Sequence, residues 1–185
     1  MRVITGKARG TRLQTLEGEA TRPTIERVKE AMFSAIQFEI DGRTVLDLFA
    51  GSGQLGIEAL SRGAHRCDFV DSAAQAVRVV TENLKKCHMT EQASVYQKSW
   101  EAFLATSRSK YSLILLDPPY HKGLCLQALT ALCERHLAPH VIAICETAPD
   151  EVMPERVGPL ALSKTTKYGN TRVHLYRTAE QGESL

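Results

Sequence analysis

The sequence predicts an α/β domain built on a largely parallel sheet that an antiparallel hairpin completes. Three observations predict it. Apolar, strand-like runs alternate with helical patterns through most of the chain, the signature of parallel strands joined by helical crossovers. The first of those strands runs straight into Gly51-Ser52-Gly53, a loop that opens a helix. Near the end, LALSKTTKY and TRVHLYR meet at Gly169-Asn170, a two-residue hairpin signal.

In chain order, RVITG and TRLQTL flank KARG and read as a short basic hairpin. After EGEATRPT a helix begins, either with Pro23 at its first position or with the Thr24 hydroxyl as its cap. Ile25, Val28, Met32, Phe33 and Ile36 recur at helical spacing, so that helix buries one face. Asp41-Gly42 is a turn, TVLDLF a buried strand, and GQLGIEALSRG a helix ended by Gly63. There follow strand CDFVD, helix AAQAVRVVTENLKKC, strand ASVYQ, a short helix around WEAFLAT, and strand YSLILLD. Helix LCLQALTALCERHL and strand VIAICE lead into the closing hairpin.

A chain of 185 residues with 43% hydrophobic content suits one domain with a real core. No apolar run reaches the ~18–20 residues of a membrane helix, and MRVITGKARG puts charge where a signal peptide would be apolar. A soluble, cytoplasmic protein is expected. The cysteines at 67, 87, 125, 133 and 145 form no CxxC pair and sit among apolar residues, so reduced and mostly buried thiols are expected. Cys133 and His136 share a helix face, but Pro139 interrupts before His140, and no metal site is expected.

The net charge of +2 conceals an uneven distribution. Residues 1–13 hold Arg2, Lys7, Arg9 and Arg12 without an acid, and residues 161–177 hold Lys164, Lys167, Arg172 and Arg177 without an acid. Such stretches either build a polyanion-binding surface or protect exposed strand edges.

Ligands in parallel sheets bind beyond the carboxyl ends of the strands. There the first strand delivers Asp47 and the loop Ala50-Gly51-Ser52-Gly53, and the second ends at Asp71, whose carboxylate can accept both hydroxyls of a ribose. The run GSGQLG is formally a dinucleotide fingerprint. Asp47, however, would oppose a pyrophosphate and suits an ammonium, and no second domain is available for a hydride acceptor. S-adenosylmethionine fits better, with its ribose at Asp71 and its cationic amino-acid part near Asp47. The adenine is expected by Ser99 and Trp100 at the end of the third strand, though Trp100 serves equally well as core.

The fourth strand, LILLD, runs into Pro118-Pro119-Tyr120. A planar exocyclic amine is a poor nucleophile because its lone pair is delocalised into the ring. The Asp117 carboxylate and the Pro118 carbonyl can take its two hydrogens, drawing the nitrogen towards tetrahedral geometry. The prolines hold that carbonyl in a fixed, extended backbone, and Tyr120 offers a stacking face worth ~1–3 kcal/mol per base. The target base must be unpaired or flipped out. His121 stands at the rim of this slot.

Together, VLDLFAGSGQLGIEALSRGA and LILLDPPY resemble the class I S-adenosylmethionine-dependent methyltransferases. More narrowly, RVITGKARGTRL, TRPTIERVKEAMFSAI and KYGNTRVHLYR resemble the RsmD family, which methylates guanine N2 in the 16S ribosomal RNA of the small subunit. The resemblance implies a Rossmann-like, seven-stranded, mostly parallel sheet with a reversed last strand. It implies one methyltransferase domain over residues 1–177, with a basic β-hairpin appendage (1–20), a catalytic core (21–177) and a flexible tail (178–185). It further implies that Arg22, Pro23 and Thr24 lie near the cofactor, that Asp117 and Pro118 bind the target amine, and that Tyr120 stacks on the guanine. RNA contacts are expected from Arg2, Lys7, Arg9, Arg12, Lys164, Lys167 and Arg172, with a small-subunit particle as the partner. Ser99 stands where the family usually has an acid, and Gln54 where a small residue is usual. Adenine N6, cytosine N4 and a protein glutamine amide present the same planar amine and are the alternative targets.

Overall fold

The computed structural model describes residues 1–16 and 23–178, with the side chains of all of these except Pro23, Thr24 and Ile25. The elements are α1 (Pro23–Ser34), β1 (Thr44–Asp47), α2 (Gln54–Ser61), β2 (Arg66–Asp71), α3 (Ala74–Lys86), β3 (Ala93–Gln97) and α4 (Trp100–Thr106). They continue with β4 (Tyr111–Leu116), α5 (Leu124–Arg135), β5 (Leu137–Thr147), β6 (Arg156–Val157), β7 (Leu160–Tyr168) and β8 (Thr171–Thr178). Of the two starts the sequence allowed, the first helix takes Pro23. The 179–185 stretch of the expected tail lies outside the described residues, and Thr178 belongs to β8.

The strands form one sheet in the order β3-β2-β1-β4-β5-β8-β7-β6. The β1–β5 strands are mutually parallel, and β8 reverses beside β5. The mostly parallel Rossmann-like sheet with its antiparallel end is as expected. It carries one strand beyond seven, because β6 is two residues pairing with β7, too short to leave a pattern. β5 begins earlier than its apolar run: Pro139 and His140, the latter at φ 54°, sit where the β4–β5 register shifts between Tyr111 and Leu113.

Both faces of the sheet are covered, so its strands read as continuous apolar runs. Leu113 and Leu115 point into a core beneath α1, α2 and α3, which includes Phe33, Ile57, Leu60, Val80 and Leu84. Ile114 and Leu116 point the other way, into a core beneath α4 and α5 with Phe103, Leu129 and Leu132. Each such side chain contributes roughly 1.5–3 kcal/mol by leaving water.

The N-terminal hairpin is tight. Its arms pair at Arg2 and Arg12, and the Val3 N–H reaches Thr11 O at 3.0 Å. Val3, Ala8 and Leu13 are buried in the α1–α3 core. The rest of the docking is polar. Glu58 of α2, fully buried, accepts the N–H groups of Ile4 (2.8 Å) and Thr5 (3.1 Å) and faces Lys29 (3.7 Å) and Arg62 (2.8 Å). Lys29 Nζ donates to Arg2 O at 2.7 Å, and burial lowers its pKa against the pull of Glu58. Asn83 accepts the Gln14 N–H at 2.8 Å and donates to both Gln14 O and Ser52 O. This segment therefore touches, through Asn83, the loop at the end of β1.

Four cysteines are buried and Cys133 is half-buried; all are free thiols. Cys133 Sγ donates to Val157 O, and the ring nitrogens of His136 lie 3.0 and 3.1 Å from Ser109 O and Leu104 O. Among the described residues no helix is long and apolar enough to cross a membrane, and no cluster of His, Cys, Asp and Glu could hold a metal ion.

Candidate active site

After β1 the chain turns to one side for β2 and β3, and later to the other for β4 and β5. At that switch point, beyond the carboxyl ends of the strands, lies a cleft of about 910 Å³. Its floor is Asp47 to Ser52 with Gln54 and Leu55, while Gly53, expected at the cofactor, does not line it; one wall holds Asp71, Ser99 and Trp100, and the other holds Asp117, Pro118 and Tyr120.

Asp47 ends β1 only 1% exposed. Its Oδ2 accepts the Gly56 N–H at 2.9 Å, while Oδ1 has no partner among the described residues. Burial pushes this carboxyl up to about 7; the nearby Asp71 charge adds to the shift and the Gly56 bond opposes it. Ser52 Oγ and Gln54 Oε1 are likewise buried and unpartnered. Orphaned polar atoms of this kind are rare and costly in an interior. Here three of them border one cleft, so the loop is built to receive polar atoms from a ligand. Gly53 turns the chain into α2 at φ 78°, a conformation that favours glycine, and a Cβ there would lie 3.1 Å from Val80 Cγ2, which would have to give by a few tenths of an ångström.

Asp71 holds this loop as well as facing the cleft. Its Oδ2 accepts the Gly51 N–H at 2.9 Å and its Oδ1 the Ala73 N–H at 2.9 Å. Ser99 caps α4, accepting the Ala102 N–H at 3.3 Å, and so its hydroxyl has a structural task besides lining the cleft. Trp100 does both things open to it: half-buried, it packs on the α4–α5 core and borders the cleft. Ala50 is buried, with its N–H on Val70 O at 3.0 Å.

β4 ends at Leu116, and Asp117 and a buried Pro118 follow on the cleft wall. The Tyr120 hydroxyl donates to Glu146 Oε1 at 2.6 Å and lies 2.9 Å from Thr171 Oγ1. His121, at φ 61°, is exposed and turns towards Asp150 (3.7 Å) rather than into the slot. Arg22 and the Thr24 side chain lie outside the described residues.

Residues 1–177 match the family described as "Conserved hypothetical protein 95". A ribosomal RNA small subunit methyltransferase D from Haemophilus influenzae is 37% identical, covering 94% of this chain and 93% of that protein. The chain belongs to the RsmD family. A Bacillus subtilis relative, described as a candidate rRNA methyltransferase, YlbH, is 41% identical over 96% of this chain and 98% of its own. The solved structure of yhhF from Escherichia coli, a candidate methyltransferase by description, superposes with a TM-score of 0.85 at 28% identity, covering 98% of this chain and 99% of that one. The fold is that of the class I methyltransferases.

The basic residues of this RsmD-family chain divide into two groups with α1 between them. Arg2, Lys7, Arg9 and Arg12 are exposed on the docked N-terminal segment, with Arg2 also 3.7 Å from Glu26. Lys164 shares a small cavity with Ala31, Met32 and Ala35 of α1, whereas Lys167 and Arg172 stand opposite each other at the hairpin end. Arg177 is bound by both oxygens of Glu39, at 2.6 and 2.7 Å. Residues that escaped sequence reasoning include Glu101 and Lys122 on the cleft lining, and Asn83, Glu146 and Thr171 behind it. Glu146 was findable, because Asp47, Asp71, Asp117 and Glu146 each close an apolar parallel strand at the ligand edge.

Proposed function

We propose that the protein transfers a methyl group from S-adenosylmethionine to the exocyclic N2 amine of a guanine in 16S ribosomal RNA, in the cytoplasm and on a small-subunit particle. One observation carries this reading. Asp117-Pro118-Pro119-Tyr120 and Gly51-Ser52 of the glycine loop border the same cleft, whose buried Asp47 and Ser52 keep polar atoms without partners among the described residues. Similarity along the full chain to a protein named ribosomal RNA small subunit methyltransferase D supports the RNA target.

In this reading the cofactor supplies an electrophilic methyl group on a sulfonium. Asp71 has lone pairs left over from Gly51 and Ala73 for ribose hydroxyls, and Asp47, once ionised, neutralises the ammonium of the amino-acid part. Ala50, Gly51 and Ser52 form the floor, Gly53 makes the turn that follows it, and Ser99 and Trp100 form the adenine side; Arg22 and Thr24 are carried in from the family resemblance. The Asp117 carboxylate and the Pro118 carbonyl accept the two amine hydrogens and free the nitrogen lone pair. Tyr120 stacks on the base, so that much of the acceleration is alignment. The amine loses its proton only after the N–C bond has formed, when it is acidic and needs no strong base. Arg2, Lys7, Arg9, Arg12, Lys164, Lys167 and Arg172 meet phosphates, a sequence-independent attraction that falls with salt.

The test is to incubate the protein with methyl-labelled S-adenosylmethionine and unmodified small subunits, digest the RNA, and identify the labelled nucleoside. N2-methylguanosine is expected. Label in another base would discard the guanine assignment, and no transfer despite cofactor binding would discard the ribosomal target.

A further inference from the structure

The hydroxyl of a base-stacking tyrosine has no part in stacking, yet that of Tyr120 is held at both sides. It donates to Glu146 Oε1 at 2.6 Å, a short bond of the charge-assisted kind, and it lies 2.9 Å from Thr171 Oγ1. Thr171 has one hydroxyl hydrogen to give, to the Tyr120 oxygen or to the same Glu146 oxygen at 3.3 Å, and the three groups form a triangle. Glu146 is an expensive residue to keep there. It is mostly buried near the end of β5, and burial raises its pKa while the bonds from Tyr120 and Thr171 resist that rise. The strand holding it is fastened as well, since Cys125 Sγ donates to Glu146 O at 3.2 Å.

We infer that Glu146 and Thr171 are positioning residues for Tyr120, which together fix where its ring stands for the target base. The inference rests on the proposed role of Tyr120 as the stacking platform. A phenol ring tethered only at Cβ swings about its Cα–Cβ bond. The hydroxyl oxygen lies on the ring's own flip axis, so fastening it leaves the ring free to flip but stops the swing and fixes where the ring stands, which matters because a misplacement of about 1 Å can cost ~10²-fold in rate. The triangle joins three parts of the chain: the β4–α5 turn, the end of β5 and the start of β8.

The experiment compares Glu146→Ala, Glu146→Gln, Tyr120→Phe and the double Tyr120→Phe/Glu146→Ala, each checked for melting temperature and S-adenosylmethionine affinity. With small subunits as substrate, Glu146→Ala and Tyr120→Phe are each expected to lower kcat by about tenfold with cofactor affinity within twofold. The double should lose no more than either single, and Glu146→Gln, which keeps an acceptor, should recover most of the rate. The χ1 torsion of Tyr120, read from three-bond N–Cγ and C′–Cγ couplings in protein labelled with 13C,15N-tyrosine and assigned by the signal lost in Tyr120→Phe, should hold one rotamer in the parent and in Glu146→Gln and average between rotamers in Glu146→Ala. Equal couplings in parent and Glu146→Ala, or additive losses in the double, would overturn the inference. The coupling measurement needs no substrate. If the parent methylates no guanine, the proposed function fails while the anchor is still judged by NMR.

Discussion

The Asp71 carboxylate accepts the Gly51 N–H at 2.9 Å, so the group suited to a ribose also holds the glycine loop in place. Replacing Asp71 with Ala removes both tasks at once. S-adenosylmethionine affinity is expected to fall by about 10–100-fold, the scale of one or two hydrogen bonds to a charged group. Isothermal titration measures it, and unchanged affinity would remove Asp71 from the cofactor site.

Asp117→Ala should separate chemistry from binding. Loss of an acceptor that acts mainly in the transition state is expected to lower kcat by ~10²–10³-fold. Cofactor affinity, measured by the same titration, should stay within twofold of the parent. A variant that loses cofactor affinity instead would place Asp117 on the wrong ligand.

The pH behaviour of Asp47 has a definite sign. Its carboxyl titrates near 7 in the folded protein, above its ordinary value of about 4 when unfolded. Between those values the folded protein retains a proton that the unfolded chain has released. Folding stability contributed by this group therefore falls as pH rises from about 4 to about 7, then levels off. Urea unfolding at pH 5 and pH 8 should show Asp47→Asn losing less stability than the parent across that interval. A cationic ligand favours the ionised form, so S-adenosylmethionine affinity should rise through pH 7 in the parent and stay flat in Asp47→Asn.

Gly6 adopts φ 88°, and a Cβ on it would fall 1.7 Å from Ser61 O. Gly6→Ala is expected to unseat the N-terminal segment from α2, lowering the melting temperature by several degrees and weakening RNA binding. Cofactor affinity should change little, since Gly6 does not border the cleft. An unshifted melting curve would contradict the tight seat described for this turn.

Lys7, Arg9 and Arg12 are exposed cations on that same segment. Changing all three to Ala should reduce the slope of log affinity against log salt by about two to three, because each phosphate they no longer neutralise keeps its counterion. Filter binding of small-subunit RNA over a salt series reads it, and an unaltered slope would leave the segment out of the RNA interface.

The five parallel strands and their helices were legible because each is an apolar run or an amphipathic repeat bounded by turn residues. So was the meeting of Asp47, Asp71 and Asp117 at one cleft, since an acid that closes an apolar strand is conspicuous. What was illegible involved partners far apart in sequence. Lys29 and Glu58 sit in helices whose periodicity assigns charged residues to water, yet both are buried, because they face each other and the N-terminal backbone. Arg177 counted among the cations of the last stretch, but Glu39, 138 positions away, takes its charge. Ser99, which reads as a ligand residue, also caps α4, a role that any Ser before a helix invites. The Tyr120 hydroxyl could not be matched to Glu146 without the sheet order that brings β5 beside β4.

The N-terminal segment leans on partners made long after it. Ile4 and Thr5 wait for Glu58, 54 and 53 residues on, and Gln14 waits for Asn83, 69 residues on. At a synthesis rate of about 5–20 residues per second, those bonds form only after ~3–14 seconds of further translation. Until then four cations travel on an unseated tether. Trimming this stretch would not remove a dangling extension. It would take away two of the donors that make Glu58 tolerable in the interior, and so open the protein at the helix that carries the glycine loop.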